Sequence, residues 1–312
     1  MFQTIRSAAF TMVAATGLLF LSSCGKNEVE VQQSIVDIVV SNPNFSILRS
    51  AVVKADIVND LQQSNLTVFA PDNDAMQASG ITQAVVDALP ASDLAFIVKY
   101  HVLGASITSG QLVTGLTDGT TLIGRSLFVS KNANGVFANG IRVKQADISA
   151  RNGVIHVVER LLTPPAGNLA EVAIASPSHK RLVQAVVKCN LVSALTGTNR
   201  LTVFAPTDAA FAAAGFDSTA IANASPATVN VLRNVILFHV VPSVYVAADI
   251  QEGLTLETAF PGAAGPVLTF SLSGGAKVRG NGNPSGVFAN ITAANLPATN
   301  GMIHVVDRVL LP

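Results

Sequence analysis

The sequence LTVFAP occurs twice in the chain, at Leu66–Pro71 and at Leu201–Pro206, and it is the strongest indication of the fold. A run of β-branched and aromatic residues closed by a proline is typical of a strand. Asp72 follows the first copy and Thr207 follows the second, and both residue types cap helices. Each copy therefore predicts a strand that turns directly into a helix.

Blocks on the N-terminal side of this stretch also occur twice, at an offset of about 134 residues that widens to about 150 along the chain. A capping-box pattern begins at Ser34 and again at Asn168, each with an acidic residue three positions later. The next block, Ile47–Val58 aligned with Arg181–Val192, places apolar residues at helical spacing. These blocks predict two similar domains, each beginning with helices, the second of them amphipathic.

On the C-terminal side, an aromatic-His pair closes a further predicted helix in each copy, as Tyr100-His101 and as Phe238-His239. Gly- and Asn-rich turns then separate short strand candidates over about 104–150 and about 242–298, which predicts hairpins. The strand candidates include Thr121–Ile123, Leu127–Val129 and Val267–Phe270.

Two further blocks complete each copy. The sequence GVFAN occurs at Gly135–Asn139 and at Gly286–Asn290, which we interpret as equivalent positions. Each copy closes with Asn-Gly and a β-branched run, Asn152–Leu162 or Asn300–Leu311, which predicts a turn and a terminal strand. Helices first and hairpins second is an α+β order, unlike the βαβ alternation of a parallel sheet.

In this order and spacing, the LTVFAP strand with its helix, the aromatic-His pair and the closing Asn-Gly strand resemble the fasciclin domain family. The resemblance implies an α+β fold of two tandem fasciclin-like domains, each a twisted, wedge-like β-sandwich packed against a group of helices. The domains are predicted at residues 31–163 and 166–312. The second copy keeps the family's Asp-x-Ala-Phe order at Asp208–Phe211, whereas the first departs from it with Asn73 and Asp74. The first copy also has Met76 in place of the Phe, a tolerable exchange in a core.

Residues 1–23 are predicted to be a signal peptide, because the apolar run Ala8–Leu21 is short and Ala-rich for a membrane span. Residues 21–25 (LSSCG) resemble the lipobox of bacterial lipoproteins, so Cys24 is the predicted lipidation site and 24–30 a polar tether. The alternative is an ordinary signal peptide cut nearby, with Cys24 incidental. The Gly that follows Cys24 resembles sorting signals that permit outer-membrane localisation. We therefore expect a lipid anchor in the outer membrane, with the protein at the cell surface or the periplasmic face.

Composition narrows the classes of function. Nineteen Lys plus Arg balance nineteen Asp plus Glu and only 12% of residues are charged, so no basic surplus points to nucleic acid. Two cysteines, Cys24 and Cys189, cannot build a thiolate metal cage or a disulfide framework. Cys189 stands where the first copy has Ala55, on the buried helix stripe, and we interpret it as a small buried hydrophobe rather than a reactive thiol.

Histidines are the remaining candidates for chemistry. Four of the five occupy equivalent positions in the two copies: His101 with His239, and His156 with His304. Imidazoles can ligate a metal or shuttle protons, but no His-x-x-x-His spacing or Cys ligand accompanies them, which favours a structural role with hydrogen bonds to the backbone. His179 has no partner in the other copy and is expected to be exposed near a helix start. We expect no catalytic residue, metal site or cofactor.

Three hypotheses of function follow. The leading one is a lipid-anchored, non-enzymatic adhesion or protein-interaction module that binds an extracellular protein or glycan, as the family resemblance implies. The second is a lipoprotein that binds a small ligand or glycan in a groove between the domains, which a deep apolar cleft would favour. The third is an enzyme, which requires solvent-open histidines with a carboxylate in hydrogen-bond reach. The sequence assigns no binding residues, and the bilayer is expected as a partner only through acylated Cys24.

Overall fold

The computed structural model describes residues 32–262 and 267–312. The predicted signal peptide, Cys24 and the tether at 24–30 lie outside these described residues. Within the described part, no helix combines the length and the apolar character that crossing a bilayer requires.

Helices form the first part of each domain, and side-chain caps fix where several of them start. The capping boxes predicted at Ser34 and Asn168 are confirmed, with each side chain bonded to the amide three residues later and the acidic partner bonded back. The helices of the first domain are α1 Ile35–Ser41, α2 Ser46–Lys54, α3 Asn73–Ala78, α4 Gln83–Ala88 and α5 Ala91–Tyr100. Those of the second are α6 Leu169–Ala175, α7 Lys180–Lys188, α8 Val192–Thr196, α9 Asp208–Ala213, α10 Ser218–Ala222 and α11 Pro226–Phe238.

The amphipathic helix α2 is shorter than predicted, because it ends at Lys54 rather than at Val58. Asp56 adopts the left-handed conformation at φ 54°, and its amide and the next one bond back to carbonyls of the last helical turn. Asn190, also at φ 54°, ends α7 in the same way. Asp and Asn tolerate this conformation better than most residues, so both stops are encoded locally.

Among the described residues, each domain contains one seven-stranded sheet, ordered β2-β1-β7-β6-β5-β4-β3 in the first and β10-β11-β12-β13-β14-β8-β9 in the second. The strands of the first domain are β1 Leu66–Pro71, β2 Val102–Leu103, β3 Gly115–Thr120, β4 Ser126–Asn132, β5 Gly135–Ala138, β6 Ile141–Ala150 and β7 Gly153–Val158. Those of the second are β8 Leu201–Pro206, β9 Val240–Val241, β10 Thr255–Glu257, β11 Val267–Ser271, β12 Lys277–Gly280, β13 Ala289–Ala298 and β14 Gly301–Val306. The sheets are mixed, because β1 with β7 and β8 with β14 are parallel while the other pairs are antiparallel.

The Asn-Gly dipeptide before the closing strand ties the sheet to the helices. In the first domain the Asn152 Oδ1 accepts from the Ile35 amide at 2.9 Å, and its Nδ2 donates to the Leu61 carbonyl at 2.8 Å. A Cβ on Gly153 would overlap the carbonyl oxygen of Leu66, so the parallel strands meet here only because this residue is a glycine. Asn300-Gly301 repeats the arrangement in the second domain.

Two predictions about the hairpin region are wrong. Thr121–Ile123 is not a strand but the turn between β3 and β4, with a single bridge at Thr121. The GVFAN blocks are not equivalent, because Gly135–Asn139 supplies β5, whereas Gly286–Asn290 only reaches a strand at its end. Pairing with the closing strands shows that β13 corresponds to β6. The two GVFAN blocks therefore lie at different positions in their sheets, although their sequences are the same. Leu127–Val129 and Val267–Phe270 do lie in strands, β4 and β11.

A bulge in the long strand folds each sheet over itself. Asp147 in β6 and Asn295 in β13 adopt φ of 61° and 60°, where the register with the closing strand shifts. In the first domain this brings Phe69 of β1 against Leu127 and Val129 of β4 in one buried cluster, while the other face of β1 packs on the helices. Each domain is therefore a wedge with one core inside the folded sheet and another between sheet and helices.

Candidate functional site

The aromatic-His pairs are structural elements of the core. His101 follows the last residue of α5; its Nδ1 donates to the Ile97 carbonyl at 2.9 Å, and its Nε2 accepts from the Leu162 amide at 2.9 Å. His239 makes the same two bonds in the second domain. Because one nitrogen accepts from a backbone amide, the ring is neutral, and burial lowers the pKa of both histidines to about 4.

The histidines of the closing strands are bonded at both nitrogens as well. The Nε2 of His156 donates to the Ile107 carbonyl at 2.9 Å, and its Nδ1 accepts from the Asp147 amide at 3.2 Å. His304 makes the equivalent bonds, and its ring stacks on Phe204 with centroids 5.3 Å apart. Burial lowers the pKa of His156, and it lowers that of His304 to about 4.

This burial decides between the interpretations of the histidines. All four are at most 2% exposed, which confirms the structural role and overturns the hypothesis of an enzyme built on solvent-open imidazoles. Among residues 32–262 and 267–312, no group of three or more His, Cys, Asp or Glu side chains is placed to hold a metal ion.

His179 is buried, contrary to the prediction that it is exposed. It precedes α7 and is 6% exposed, with its Nδ1 2.6 Å from the Ser176 Oγ. Phe45 precedes α2 at the corresponding place in the first domain and is 2% exposed. His179 therefore does have a counterpart, and both side chains fill the core beneath the start of a helix.

Cys189 behaves as predicted. It ends α7 with no exposed surface, and burial raises the pKa of its thiol. The Sγ donates to the Val229 carbonyl at 3.6 Å. Met76 and Phe211 likewise occupy equivalent buried positions, at 2% and 1% exposure, so the exchange of Phe for Met is accommodated in the core.

The junction between the domains is built on the second face of β4. Alternate residues of this strand point to opposite sides, so Leu127 and Val129 enter the core of the first domain while Phe128 points away from it. Phe128 has no exposed surface, because it packs in a cluster with Val246 and Met302 of the second domain. An outward-facing aromatic residue is thus buried by the neighbouring domain.

Polar contacts surround this apolar cluster. Arg200, which precedes β8, lies over the Phe128 ring at 5.4 Å, pairs with Asp118 and donates to the Ser126 Oγ at 2.8 Å. On the other side, the Asn132 Nδ2 donates to the Ala248 carbonyl at 2.8 Å. A buried aromatic ring enclosed by hydrogen bonds fixes the two domains as one body.

A groove of about 570 Å³, which we call the junction groove, lies where the β5–β6 turn meets β13. A Cβ on Gly140 in that turn would overlap the side chain of Asn295, so the domains touch closely at its base. Its lining residues are Phe137, Asn139, Gly140, Ile141, Arg142, Glu159, Arg160, Thr163, Ala294, Asn295, Leu296 and Pro297. The groove mixes charged and apolar side chains, so it differs from the deep apolar cleft that would favour the small-ligand hypothesis.

An apolar pocket of about 40 Å³ lies among α6, α7 and α8 of the second domain. It is lined by Ala173, where the first domain has Val39 at 2% exposure. It is also lined by Val183, where the first domain has Arg49, whose Nη1 donates to a carbonyl of α1 at 3.1 Å. Smaller side chains therefore leave open in one domain a space that the other fills.

None of the residues at the junction was singled out from the sequence. The signal that could have found them is the difference between the two copies. Phe128 stands where the second copy has Thr269, and Arg200 stands where the first has Asn65. A large apolar residue at a strand position that faces away from its own core indicates a covered surface.

Comparison with known proteins gives a consistent result. The model of the fasciclin domain family matches residues 43–164 and 177–312. The chain is 26% identical over 252 residues to transforming growth factor-beta-induced protein ig-h3 of Sus scrofa, which covers 80% of this chain and 35% of that protein. It is 39% identical over 135 residues to protein sll1483 of Synechocystis, covering 42% of this chain and 74% of that protein. The chain thus spans about a third of the length of ig-h3.

Among solved structures, the chain is similar to a FAS1 domain pair from the insect cell adhesion molecule fasciclin I. That likeness covers 85% of this chain and 94% of the other, with 20% identity and a TM-score of 0.42.

Proposed function

The chain belongs to the fasciclin domain family, and we propose that it is a lipid-anchored, non-enzymatic adhesion or protein-interaction module of the cell envelope that binds an extracellular partner. The observation that carries the proposal is the junction. Because Phe128 and Arg200 hold the tandem domains in a fixed arrangement, the pair presents one surface to a partner instead of two independently moving ones.

The absence of enzyme activity is supported by the state of the histidines. Each of the four paired imidazoles is neutral, buried and hydrogen-bonded to backbone at both nitrogens. A side chain in this state cannot reach a substrate or exchange a proton with it. The histidines that the two copies share therefore serve the fold.

The lipid anchor is supported by the sequence around Cys24. A lipobox-like stretch at 21–25 followed by a short polar tether would hold the domains close to a membrane surface. Lasting attachment requires more than one acyl chain, since a single chain binds only marginally. The location that we propose is the outer membrane, on either its surface or its periplasmic side.

The anchor is tested by growing cells that express the full chain with a labelled fatty acid. Wild type is expected to incorporate the label and to stay with the membrane fraction, whereas Cys24→Ser incorporates none and is released. Labelling of the Cys24→Ser variant would contradict the assignment. Protease shaving of intact cells then separates a surface location, where the domains are cleaved, from a periplasmic one.

Adhesion is tested with the same cells on surfaces coated with extracellular matrix. Cells that carry the wild-type chain are expected to be retained, and cells that carry Cys24→Ser are expected to wash off, because the folded module is no longer attached to them. Equal retention of both strains would count against the proposal. A pulldown with the soluble chain from Lys26 onward identifies the partner that mediates the retention.

A further inference from the structure

We propose that the junction groove binds an extended peptide that carries an acidic side chain next to aliphatic ones. This assignment rests on the proposed function, since it gives the partner chemistry of an interaction module. It is carried by the charged side chains that the first domain places in the groove and by the exposed apolar surface beside them, most of which the second domain supplies.

The charged side of the groove, which we call its charged bank, consists of Arg142, Glu159 and Arg160 of the first domain. Arg160 is exposed and forms no ion pair or hydrogen bond with any described residue. Arg142 approaches Glu159 at 3.4 Å, but both side chains remain about half exposed, so the pair is loose. Two guanidinium groups against one carboxylate leave a positive bank, and guanidinium is suited to bind a carboxylate with two hydrogen bonds.

The apolar bank comes mostly from the second domain. Leu296 is 37% exposed although it is a large aliphatic residue in a concave surface, and Pro297 lies beside it. Ile141 and Phe137 extend the apolar surface from the first domain. An aliphatic side chain laid on this surface gains free energy in proportion to the apolar area that it covers.

The shape and chemistry of the groove favour a peptide over a glycan. Two strand segments, Ile141–Arg142 of β6 and Ala294–Pro297 of β13, contribute to its sides, so an extended chain can lie between them. Binding of a sugar ring favours an open aromatic face, but Phe137, the aromatic residue that lines the groove, is 8% exposed. A carboxylate would meet Arg160 while neighbouring aliphatic residues cover Leu296.

The test uses the chain from Lys26 onward, which retains every described residue, and a fluorescein-labelled peptide of sequence Leu-Val-Leu-Asp-Asp-Gly. Fluorescence anisotropy should show saturable binding that weakens with added salt. Arg160→Ala should weaken it about tenfold, the usual effect of losing one hydrogen bond to a charged group. A peptide with Asn in place of both Asp residues should show a similar loss with the wild-type chain.

Matched variants separate the groove from general charge effects. Arg308 occupies the same place in the second repeat as Arg160 but lies outside the groove, so Arg308→Ala should bind like wild type. Leu296→Ala should weaken the aliphatic contribution about threefold, as expected for the loss of part of an apolar contact. Circular dichroism of each variant verifies that the fold is retained.

Several results would overturn the assignment. They are no saturable binding of the peptide, equal binding of its Asp and Asn forms, equal losses in Arg160→Ala and Arg308→Ala, or binding of an oligogalacturonate in place of the peptide. The retention of cells on matrix tests the proposed adhesion function independently of peptide binding. If wild-type cells are retained but the peptide does not bind, the groove assignment is wrong and the proposed adhesion function is unaffected. If the peptide binds but wild-type cells are not retained, the proposed adhesion function is wrong.

Discussion

At the scale of single residues, the histidines act as buried connectors. His101 joins the end of α5 to the chain that follows β7, through the Ile97 carbonyl and the Leu162 amide. A neutral imidazole can donate on one side and accept on the other, which a lysine or a carboxylate cannot do. Protonation would replace the acceptor by a second donor and break one of these bonds.

Acid should therefore destabilise the protein before carboxylates protonate. The folded-state pKa of His101, His239 and His304 is about 4, below the ordinary value of 6.5, so the unfolded state binds more protons between these values. Their contribution to stability is complete above pH 6.5 and falls as pH drops towards 4, by up to about 3 kcal/mol for each imidazole. Urea unfolding across this window measures the slope.

The variant His101→Gln isolates one of these groups. It should unfold more easily at neutral pH, because a buried hydrogen bond is lost. The slope of its free energy of unfolding against pH should be smaller than in wild type by the contribution of about one proton. An unchanged slope in His101→Gln would show that acid acts through other groups. His239→Gln provides the same measurement in the second domain.

At the scale of elements, equivalent helices in the two domains pack with different completeness. Val39 on α1 is buried, whereas its counterpart Ala173 on α6 lines an open apolar pocket. The two helices have the same length of seven residues, and each begins with a capping box. The packing therefore differs because the side chains at equivalent positions differ.

Filling this pocket should stabilise the second domain. Ala173→Val adds two carbon atoms to an apolar space, worth about 1.5 kcal/mol, and loses about 0.5 kcal/mol of helix propensity. We expect a net gain of about 1 kcal/mol in urea unfolding. The reverse exchange in the first domain, Val39→Ala, should cost about 2 kcal/mol because it opens a cavity. A loss of stability in Ala173→Val would show that the pocket is too narrow for the two added methyl groups.

At the scale of the whole molecule, one strand serves two cores. The residues of β4 alternate between the core of the first domain and the junction, so the strand is buried on both faces. The corresponding strand of the second domain, β11, has Thr269 where β4 has Phe128. Its second face is only partly buried, so the two domains differ in the surface they offer for stacking.

Removing the ring at the junction should separate the domains without unfolding them. Phe128→Ala deletes a fully buried side chain from a cluster shared by both domains, which typically costs about 3 to 5 kcal/mol. Small-angle X-ray scattering should then show a larger radius of gyration, with unchanged circular dichroism. Thr269→Ala, at the equivalent position of the second domain, should leave the scattering as in wild type. Identical curves for Phe128→Ala and wild type would show that Arg200 and Asn132 suffice to hold the junction.

Local sequence patterns predict the repeat, the capped helix starts, the LTVFAP strand and the closing strand, because each depends on neighbours within a few residues. The same local signals led to the fasciclin resemblance, which the family model confirms. They failed at Thr121–Ile123, where residues typical of a strand form a turn, and at the GVFAN blocks, where the same sequence occupies different places in the two sheets.

Long-range packing sets the parallel pairing of β1 with β7, the burial of His179 and the junction at Phe128. Each of these depends on segments distant in sequence and on which face of an element another element covers. The alternation of residue types along one strand indicates that its two faces differ, but it does not indicate which face a second domain will cover. The groove exists for the same physical reason, since both domains contribute to its lining.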